Sequence, residues 1–436
     1  MDLIGTSPIE QEQRTISNQR LILTSAGHLT VAMGILSIGT FIPAELKFLG
    51  WETSTIAFLV GMATLFELFR MVVGYLGDTY PILGSFRQSY ITIGFALETI
   101  GFLLIAYTIG SYIILVGMIF FTVGSAIVST YIDVYLIEST DSTGRTKTAA
   151  STQFFRLSGF AVGGILGAFF YASLGFHNFI LFLGLINAAV MAMVIYLVKE
   201  SAEVGWVKKD NLTHLSFQSK ISVIKRELRD SKIVGMTLFL LIYPIGLFAQ
   251  DAILEPYAIE VFGFGEEGIG RLAAIWGTST LLFIPLAIVA IQFLGRLPTA
   301  VLGTMTAGFG LTLIAFLPEL GVLDQMWLLL AVAVFGMGLG LMTTPATAMM
   351  FETANNSEVR TLLIAYYGLL VTLSRALASF LAGFVMLIAS YQTVFVLETV
   401  VLLSSIIPLF IVRAGLKAEL GIEDTTKPVR GLEVQS

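Results

Sequence analysis

The sequence contains no cysteine and little charge. Only 12% of its 436 residues are Asp, Glu, Lys or Arg, whereas about 25% of an ordinary soluble domain is charged. The absence of cysteine excludes disulfides, thiolate metal sites and cysteine nucleophiles. The net charge of −6 argues against nucleic acid as a partner. A soluble fold of 436 residues would need far more polar surface than this composition provides.

The apolar residues, in contrast, are abundant and run in long stretches. They make up 56% of the chain, and the mean hydropathy is +0.88. A helix needs roughly 20 mostly apolar residues to span a bilayer. The sequence predicts twelve such spans, at 21–43, 54–77, 88–109, 112–137, 151–174, 178–198, 233–256, 268–294, 299–318, 327–350, 361–388 and 391–413.

These spans predict an all-α membrane protein with two pseudo-symmetric six-helix halves, and the lipid bilayer is its expected partner. The predicted organisation is a tail at 1–20, a half at 21–198, a linker at 199–232, a half at 233–413 and a tail at 414–436.

The basic residues predict the orientation of the chain in the membrane, because cytoplasmic loops are enriched in Lys and Arg. If the N-terminus is inside, the outward loops hold only Lys47 and Arg271. The linker holds Lys199, Lys208, Lys209, Lys220, Lys225, Arg226, Arg229 and Lys232. Both termini and the linker are therefore expected in the cytoplasm.

The two halves repeat one pattern: a glycine, a threonine six residues later, a glutamate fourteen residues after the glycine, and then an arginine. The residues are Gly124, Thr130, Glu138 and Arg145 in the first half, and Gly338, Thr344, Glu352 and Arg360 in the second. A helix with an arginine follows each pattern. Matching spacings in equivalent spans indicate a duplicated six-helix unit.

Several charged residues lie within predicted spans, where each costs roughly 3 kcal/mol on insertion scales. They are Glu67, Arg70, Glu98, Asp133, Arg156, Arg375 and Glu398. Glu67 and Arg70 are three residues apart on one helix, so they are expected to pair with each other.

Glu98 and Arg375 have no partner nearby in the sequence. They either line a central cavity, where they meet a polar ligand group or a proton, or pair with other buried charges, as Arg375 would with Glu398. His28 is either an axial ligand of a metal-centred pigment or a hydrogen-bonded core residue, and we favour the second. No His, Asp and Glu cluster has metal-site spacing, and no nucleophile–base constellation is visible. An enzyme is therefore not expected.

The segment between the second and third spans reads GYLGDTYPILGSFRQSYI. With twelve spans in two halves, its Gly-x-Leu-x-Asp turn resembles the major facilitator superfamily (MFS). The resemblance implies that Asp78 gates the rocking of the two halves.

Two segments are similar to the bacteriochlorophyll delivery branch of that superfamily, the PucC-like proteins. In the first, the matching residues are Asp78, Thr79, Gly84, Arg87, Tyr90 and Ile91. The second, QDAILEPYAIEVFGFGEEGIGRLAAIWGTSTL at 250–281, matches through a run that begins Gln250, Asp251, Leu254, Glu255, Pro256 and Tyr257. Gln88 and Ser89 depart from the branch pattern, which has Arg and Pro at these positions.

The resemblance implies a protein that handles a chlorophyll-type pigment or assists assembly of light-harvesting complexes. It also implies a bound pigment, antenna or photosystem subunits as partners, and a location in the cytoplasmic or photosynthetic membrane. One alternative is a proton-coupled carrier of a small metabolite or drug. Another is an assembly factor that transports nothing and docks partner helices on Gly159, Gly163 and Gly167, a run that also suits packing within the molecule.

Overall fold

The computed structural model describes residues 18–70, 72–73, 82, 87–138, 145–198, 230–355 and 360–420. In the first half the α-helices are α1 (Asn18–Ser25), α2 (Gly27–Leu36), α3 (Ile42–Phe48), α4 (Thr53–Leu65), α5 (Gln88–Thr108), α6 (Ile114–Glu138) and α7 (Arg145–Leu197). In the second half they are α8 (Ser231–Ile242), α9 (Ile245–Phe248), α10 (Leu254–Phe262), α11 (Glu266–Leu294), α12 (Arg296–Phe316), α13 (Gln325–Asn355), α14 (Arg360–Ile388), α15 (Tyr391–Ser404) and α16 (Ile406–Leu420).

The helices confirm the predicted all-α membrane fold. Ten helical segments are long and apolar enough to cross a bilayer, and the shorter apolar helix Thr53–Leu68 adds another. The longest segment, α7, contains two spans because Gly175 breaks it with a φ of 71°. The described part of the chain thus accounts for twelve spans, while most of the linker, 199–229, lies outside it.

The repeated glycines have the same role in both halves. A Cβ added to Gly124 would meet the backbone oxygen of Gly94, and one added to Gly338 would meet the backbone nitrogen of Ala307. Each glycine therefore allows the fourth helix of its half to approach the backbone of the third closely. This shared contact agrees with the duplicated unit.

Glycines also bring the two halves together along two seams. On the fifth and eighth spans, a Cβ on Gly164 would lie 2.5 Å from the oxygen of Ala273. On the second and eleventh spans, a Cβ on Gly61 would lie 3.3 Å from the oxygen of Ala376. The interface between the halves is thus built from close helix pairs on either side of a central space.

The glycine run of the fifth span faces inward, against the first span. A Cβ on Gly159 would meet the oxygen of Leu29, and one on Gly167 would meet the ring of Phe41. Gly163 lies beside Met33. All three glycines are buried, so they serve packing within the molecule. The free docking flank considered for an assembly factor is not available there.

The first and seventh spans are both interrupted near their middle. The first contains a π-helical turn at Ser37–Phe41, and the seventh contains a 3₁₀ turn at Ala249–Ala252. Gly124 and Gly338 are 214 residues apart, and residues 37–41 shifted by the same number are 251–255. This range overlaps the second break, so the two breaks occupy equivalent places in the repeat. They also meet, since a Cβ on Gly39 would lie 3.8 Å from the Cβ of Asp251. Interrupted helices at matching places in two repeats indicate a binding site.

We expect Gly338→Ala to destabilise the protein, because the new methyl group must displace the backbone of the ninth span. Overpacking of this kind typically costs about 1–3 kcal/mol. Gly368→Ala is the matched control, since Gly368 lies in α14 with open space around it. Thermal unfolding of the two purified variants in detergent would test this, and equal unfolding temperatures would contradict the role given to Gly338.

Candidate functional site

Arg375 connects the two halves at the centre of the molecule. Its Nη1 lies 3.8 Å from Oε1 of Glu67, on the second span, and its Nη2 lies 3.8 Å from Oδ2 of Asp251, on the seventh. The guanidinium also lies 4.6 Å from the centre of the Phe248 ring. One cation thus serves two carboxylates that approach it from opposite halves.

These contacts correct two expected pairings. Glu67 pairs with α14 rather than with Arg70, since its second oxygen accepts a hydrogen bond of 3.4 Å from Thr372. Glu67 lies in the 3₁₀ turn Phe66–Leu68, and the partners that Arg375 and Thr372 supply from the neighbouring α14 replace the local i,i+3 pairing. Glu398 also does not pair with Arg375. Its Oε1 accepts a hydrogen bond of 3.0 Å from the backbone nitrogen of Gln250.

A cavity surrounds Arg375. Its enclosed volume is about 20 Å³, which is room for about one water molecule, and the space reaches about 420 Å³ only when its open mouth is counted. Both halves line it, through the first, second, fourth, seventh and eleventh spans. The lining residues are Ile35, Ile38, Gly39, Val60, Thr64, Glu67, Thr122, Ser125, Phe248, Asp251, Arg375 and Ser379.

The interrupted seventh span holds Asp251 in place. Gln250 donates a side-chain hydrogen bond of 2.7 Å to Oδ1 of Asp251, while its backbone nitrogen binds Glu398. Glu255 is 4% exposed and lies beside Thr40 of the first span. The carboxyls of Glu255 and Glu398 thus stand behind Asp251, away from the cavity lining.

The family comparison bears on this same segment. A family model described as "PUCC protein" matches residues 44–415, which is most of the chain and includes the interrupted span. The chain belongs to the PucC family. A comparison with curated protein sequences finds no match.

Solved structures show that this PucC-family chain has the fold of MFS transporters. The nucleoside transporter NupG is 13% identical with a TM-score of 0.64, covering 92% of this chain and all of that one. A POT family transporter in complex with a thioalcohol conjugated peptide is 15% identical with a TM-score of 0.69, covering 90% of this chain and 96% of that one. A D-xylose-proton symporter is 16% identical with a TM-score of 0.66 over the same shares.

A second charged cluster lies in the first half, toward the face that carries the N-terminus. Asp133 lies 3.0 Å from Nε2 of His28 and 3.5 Å from Nη2 of Arg156. Arg70 donates a hydrogen bond of 3.1 Å to Ser129. The side chains of Asp133 and Arg156 are 36% and 34% exposed. Charged side chains within spans face the bundle interior or water rather than lipid, so we expect this partly exposed cluster to face water.

His28 is enclosed in this arrangement. Its ring is 0% exposed and lies against Asp133, so the macrocycle of a pigment cannot reach either ring nitrogen in this conformation. The contact with Asp133 instead agrees with the polar core residue that the sequence favoured.

Glu98 lies away from the cavity, contrary to one of the two expectations for it. It is 0% exposed and accepts a hydrogen bond of 3.1 Å from Asn187 on the sixth span. A Cβ on Gly124 would touch it, so it is packed between the third, fourth and sixth spans. The sequence signal for this pairing is the amide of Asn187 in an otherwise apolar span, and it was not among the residues expected to contact Glu98.

The other family-motif residues have mainly structural surroundings. Arg87 is buried, with its guanidinium 5.7 Å from the ring centre of Tyr131. Tyr257 donates a hydrogen bond of 2.6 Å to the oxygen of Ile314, and its neighbour Pro256 is buried.

Four of the residues predicted to act in gating or in the repeated motif fall wholly or partly outside the part of the chain that the structure describes. Asp78 and the side chains of Glu138, Arg145 and Arg360 lie outside the described residues. Their counterpart Glu352 forms an ion pair with Arg296 at the surface.

We expect Arg375→Leu to destabilise the protein by about 3–5 kcal/mol, because it leaves two buried carboxylates without their cation. The loss should shrink when Glu67→Gln and Asp251→Asn are added, since the uncompensated charges then disappear. Arg271→Leu is the control, because Arg271 pairs with Glu267 on the exposed surface of one helix. Thermal unfolding in detergent measures all three. An Arg375→Leu protein as stable as the control would contradict the bridging role.

Proposed function

We propose that the protein is an alternating-access carrier, in which a small polar substrate reaches the cavity around Arg375 from one membrane face at a time. The observation that carries the proposal is the position of Arg375 between Glu67 of one half and Asp251 of the other. Its two contacts of 3.8 Å are long for charge-assisted hydrogen bonds, which are usually about 2.7–2.9 Å. A ligand with charges of its own can therefore compete for these groups.

Contacts between the halves close the face opposite the N-terminus. Lys47 of the first half forms an ion pair with Glu260 of the second. Glu260 also accepts a hydrogen bond from Tyr391, whose hydroxyl lies 2.6 Å from that of Thr53. We call these four residues the opposite-face latch. With this face held shut and the Asp133 cluster exposed to water on the other side, the described conformation fits a carrier open toward its termini.

The absence of cysteine allows a direct test of rocking with two introduced spin labels. Leu49→Cys and Leu323→Cys place labels on exposed opposite-face loops of different halves. We expect Glu260→Ala to lengthen the distance between them, because this change removes two latch contacts. Pulsed electron resonance would measure the distance distribution.

The labelled protein offers two controls. Glu267→Ala removes a carboxylate on the same face whose ion pair among the described residues is with Arg271 of its own helix, and it should leave the distance unchanged. Labels at Leu49 and Ile113 both lie in the first half and should not respond to Glu260→Ala. An unchanged distance between Leu49 and Leu323 in Glu260→Ala would favour a rigid, non-transporting assembly factor.

Membership of the PucC family favours a second candidate, a protein that handles a chlorophyll-type pigment or assists light-harvesting assembly. The family match spans residues 44–415. The cavity is charged and smaller than a whole pigment with its tail, so in this conformation it would receive at most a polar part of one.

Expression in a host that makes the pigment tests this candidate. We expect the purified protein to retain the absorption bands of a tetrapyrrole if it handles one. Absence of these bands after purification in several detergents would contradict pigment binding. Recovery of antenna subunits without pigment or flux would instead indicate an assembly role.

We further propose that any proton coupling depends on Glu67 and Asp251 rather than on Glu98, because the first two touch both the cavity and Arg375. Glu98→Gln should therefore leave substrate flux and its pH dependence unchanged in vesicles with an imposed pH gradient. Loss of pH dependence in Glu98→Gln would restore the role that the sequence first suggested for it.

A further inference from the structure

The cavity around Arg375 is lined by two carboxylates and one cation. The charged side chains of the lining are Glu67, Asp251 and Arg375. The guanidinium lies 3.8 Å from one oxygen of each carboxylate, which is longer than an ordinary hydrogen bond. The oxygens that face it, Oε1 of Glu67 and Oδ2 of Asp251, can therefore accept hydrogen bonds from a ligand.

Charged groups behind the lining do not reverse this balance at Asp251. On the side of the second half, Glu255 and Glu398 lie close enough to Asp251 for their charges to interact with it, and both are carboxyls. On the side of the first half, Arg70 is a charged neighbour of Glu67 but does not line the cavity. The lining thus has a carboxylate to spare on its second-half side.

Four hydroxyl groups of the lining act as hydrogen-bond acceptors toward the cavity. Each donates its proton to a backbone carbonyl three or four residues earlier in its own helix, with oxygen–oxygen distances of 2.7–3.5 Å. A hydroxyl has one proton but two lone pairs, so these oxygens can accept from a ligand and have no proton left to donate. They belong to Thr64, Thr122, Ser125 and Ser379.

The remaining side chains of the lining are apolar, and the enclosed space is small. Ile35, Ile38, Val60 and Phe248 supply the apolar surface. The enclosed part holds about 20 Å³, which is room for one group about the size of a water molecule. The ligand group that fits this part has a single heavy atom, several donors and a positive charge, and the open mouth leaves space for a hydrocarbon body.

We propose that the cavity binds a primary ammonium group, held by Asp251, Glu67 and the four hydroxyl oxygens, with a short hydrocarbon body toward the mouth. An ammonium group has three donors and no acceptor, which matches a lining whose polar groups are mainly acceptors. As the substrate class, this inference rests on the proposed carrier function, but binding itself does not require transport. An anion would meet two carboxylates, and a quaternary ammonium would bring charge without donors.

The test uses the purified full-length protein and four ligands on one carbon skeleton: butylamine, butyltrimethylammonium, butanol and butyrate. Near neutral pH butylamine is charged, as a lysine side chain is. Calorimetric titration and ligand-induced thermal stabilisation would measure binding. We expect butylamine to bind at least about tenfold more tightly than each of the other three, since each of them lacks the charge, the donors or both.

Variants of the lining identify the groups that hold the ammonium. Asp251→Asn and Glu67→Gln should each weaken butylamine binding by about tenfold, because each replaces a charged acceptor with a neutral amide of similar shape. Thr64→Val, which removes one neutral acceptor, should weaken it less. Glu267→Gln changes an exposed carboxylate outside the lining and should leave all affinities unchanged. If a variant fails to fold, the ligand series on the unaltered protein still decides.

Four results would overturn the proposal. Butyltrimethylammonium or butanol binding as tightly as butylamine would show that donors or charge do not matter. Tighter binding of butyrate would show that Arg375 selects the ligand instead of the carboxylates. Equal stabilisation by sodium chloride and by butylammonium chloride at one concentration would indicate a metal cation. Absence of binding by butylamine would remove the site.

The spin-label experiment separates these results from a failure of the carrier function. A distance between Leu49 and Leu323 that lengthens in Glu260→Ala, without butylamine binding, would leave the carrier and remove this substrate class. Butylamine binding with an unchanged distance would leave the site and remove the carrier.

Discussion

The structure depends on one constraint, which is the cost of placing a guanidinium in the middle of a membrane protein. Arg375 lies in an apolar span, and its charge must be balanced by groups that its own helix does not provide. Glu67 and Asp251 supply that balance from two other spans and from both halves. Because the balancing carboxylates would themselves be uncompensated without Arg375, the three side chains hold the halves together as a unit. The cavity forms around them.

The breaks in the first and seventh spans follow from the same constraint. In a continuous helix the direction of each side chain is set by the regular turn of 3.6 residues, whereas a π turn or a 3₁₀ turn changes the direction in which nearby side chains point. The 3₁₀ turn Ala249–Ala252 presents Asp251 to Arg375 and Gln250 to Glu398. The π turn Ser37–Phe41 brings Gly39 against Asp251, where a larger side chain would fill the space. Duplication explains why both breaks occur at equivalent places.

The sequence was sufficient to predict the fold but not the pairings. Hydropathy predicted the spans because each must cross the same thickness of hydrocarbon, and the spacing of Gly124 and Gly338 predicted the repeat because both glycines make the same close approach. The partners of Glu67 and Glu98 depend on helix rotation and on which span lies alongside, neither of which hydropathy contains. A local rule paired Glu67 with Arg70, but Arg375 and Thr372 of the neighbouring α14 are the partners that Glu67 finds in the structure.

Binding and rocking can share the same charges. A carrier must change the balance between two conformations, and shifting a population from 1:99 to 99:1 needs a difference in binding free energy of about 5.5 kcal/mol between them. If the protein acts as a carrier, a charged ligand in the cavity would compete with Arg375 for Asp251 or Glu67. Occupation of the cavity would in that case weaken the bridge between the halves. The opposite-face latch of Lys47, Thr53, Glu260 and Tyr391 is then left to hold that face closed by contacts that are partly open to water. Such exposed contacts contribute little individually, so loss of the central bridge would be enough to let the halves separate there.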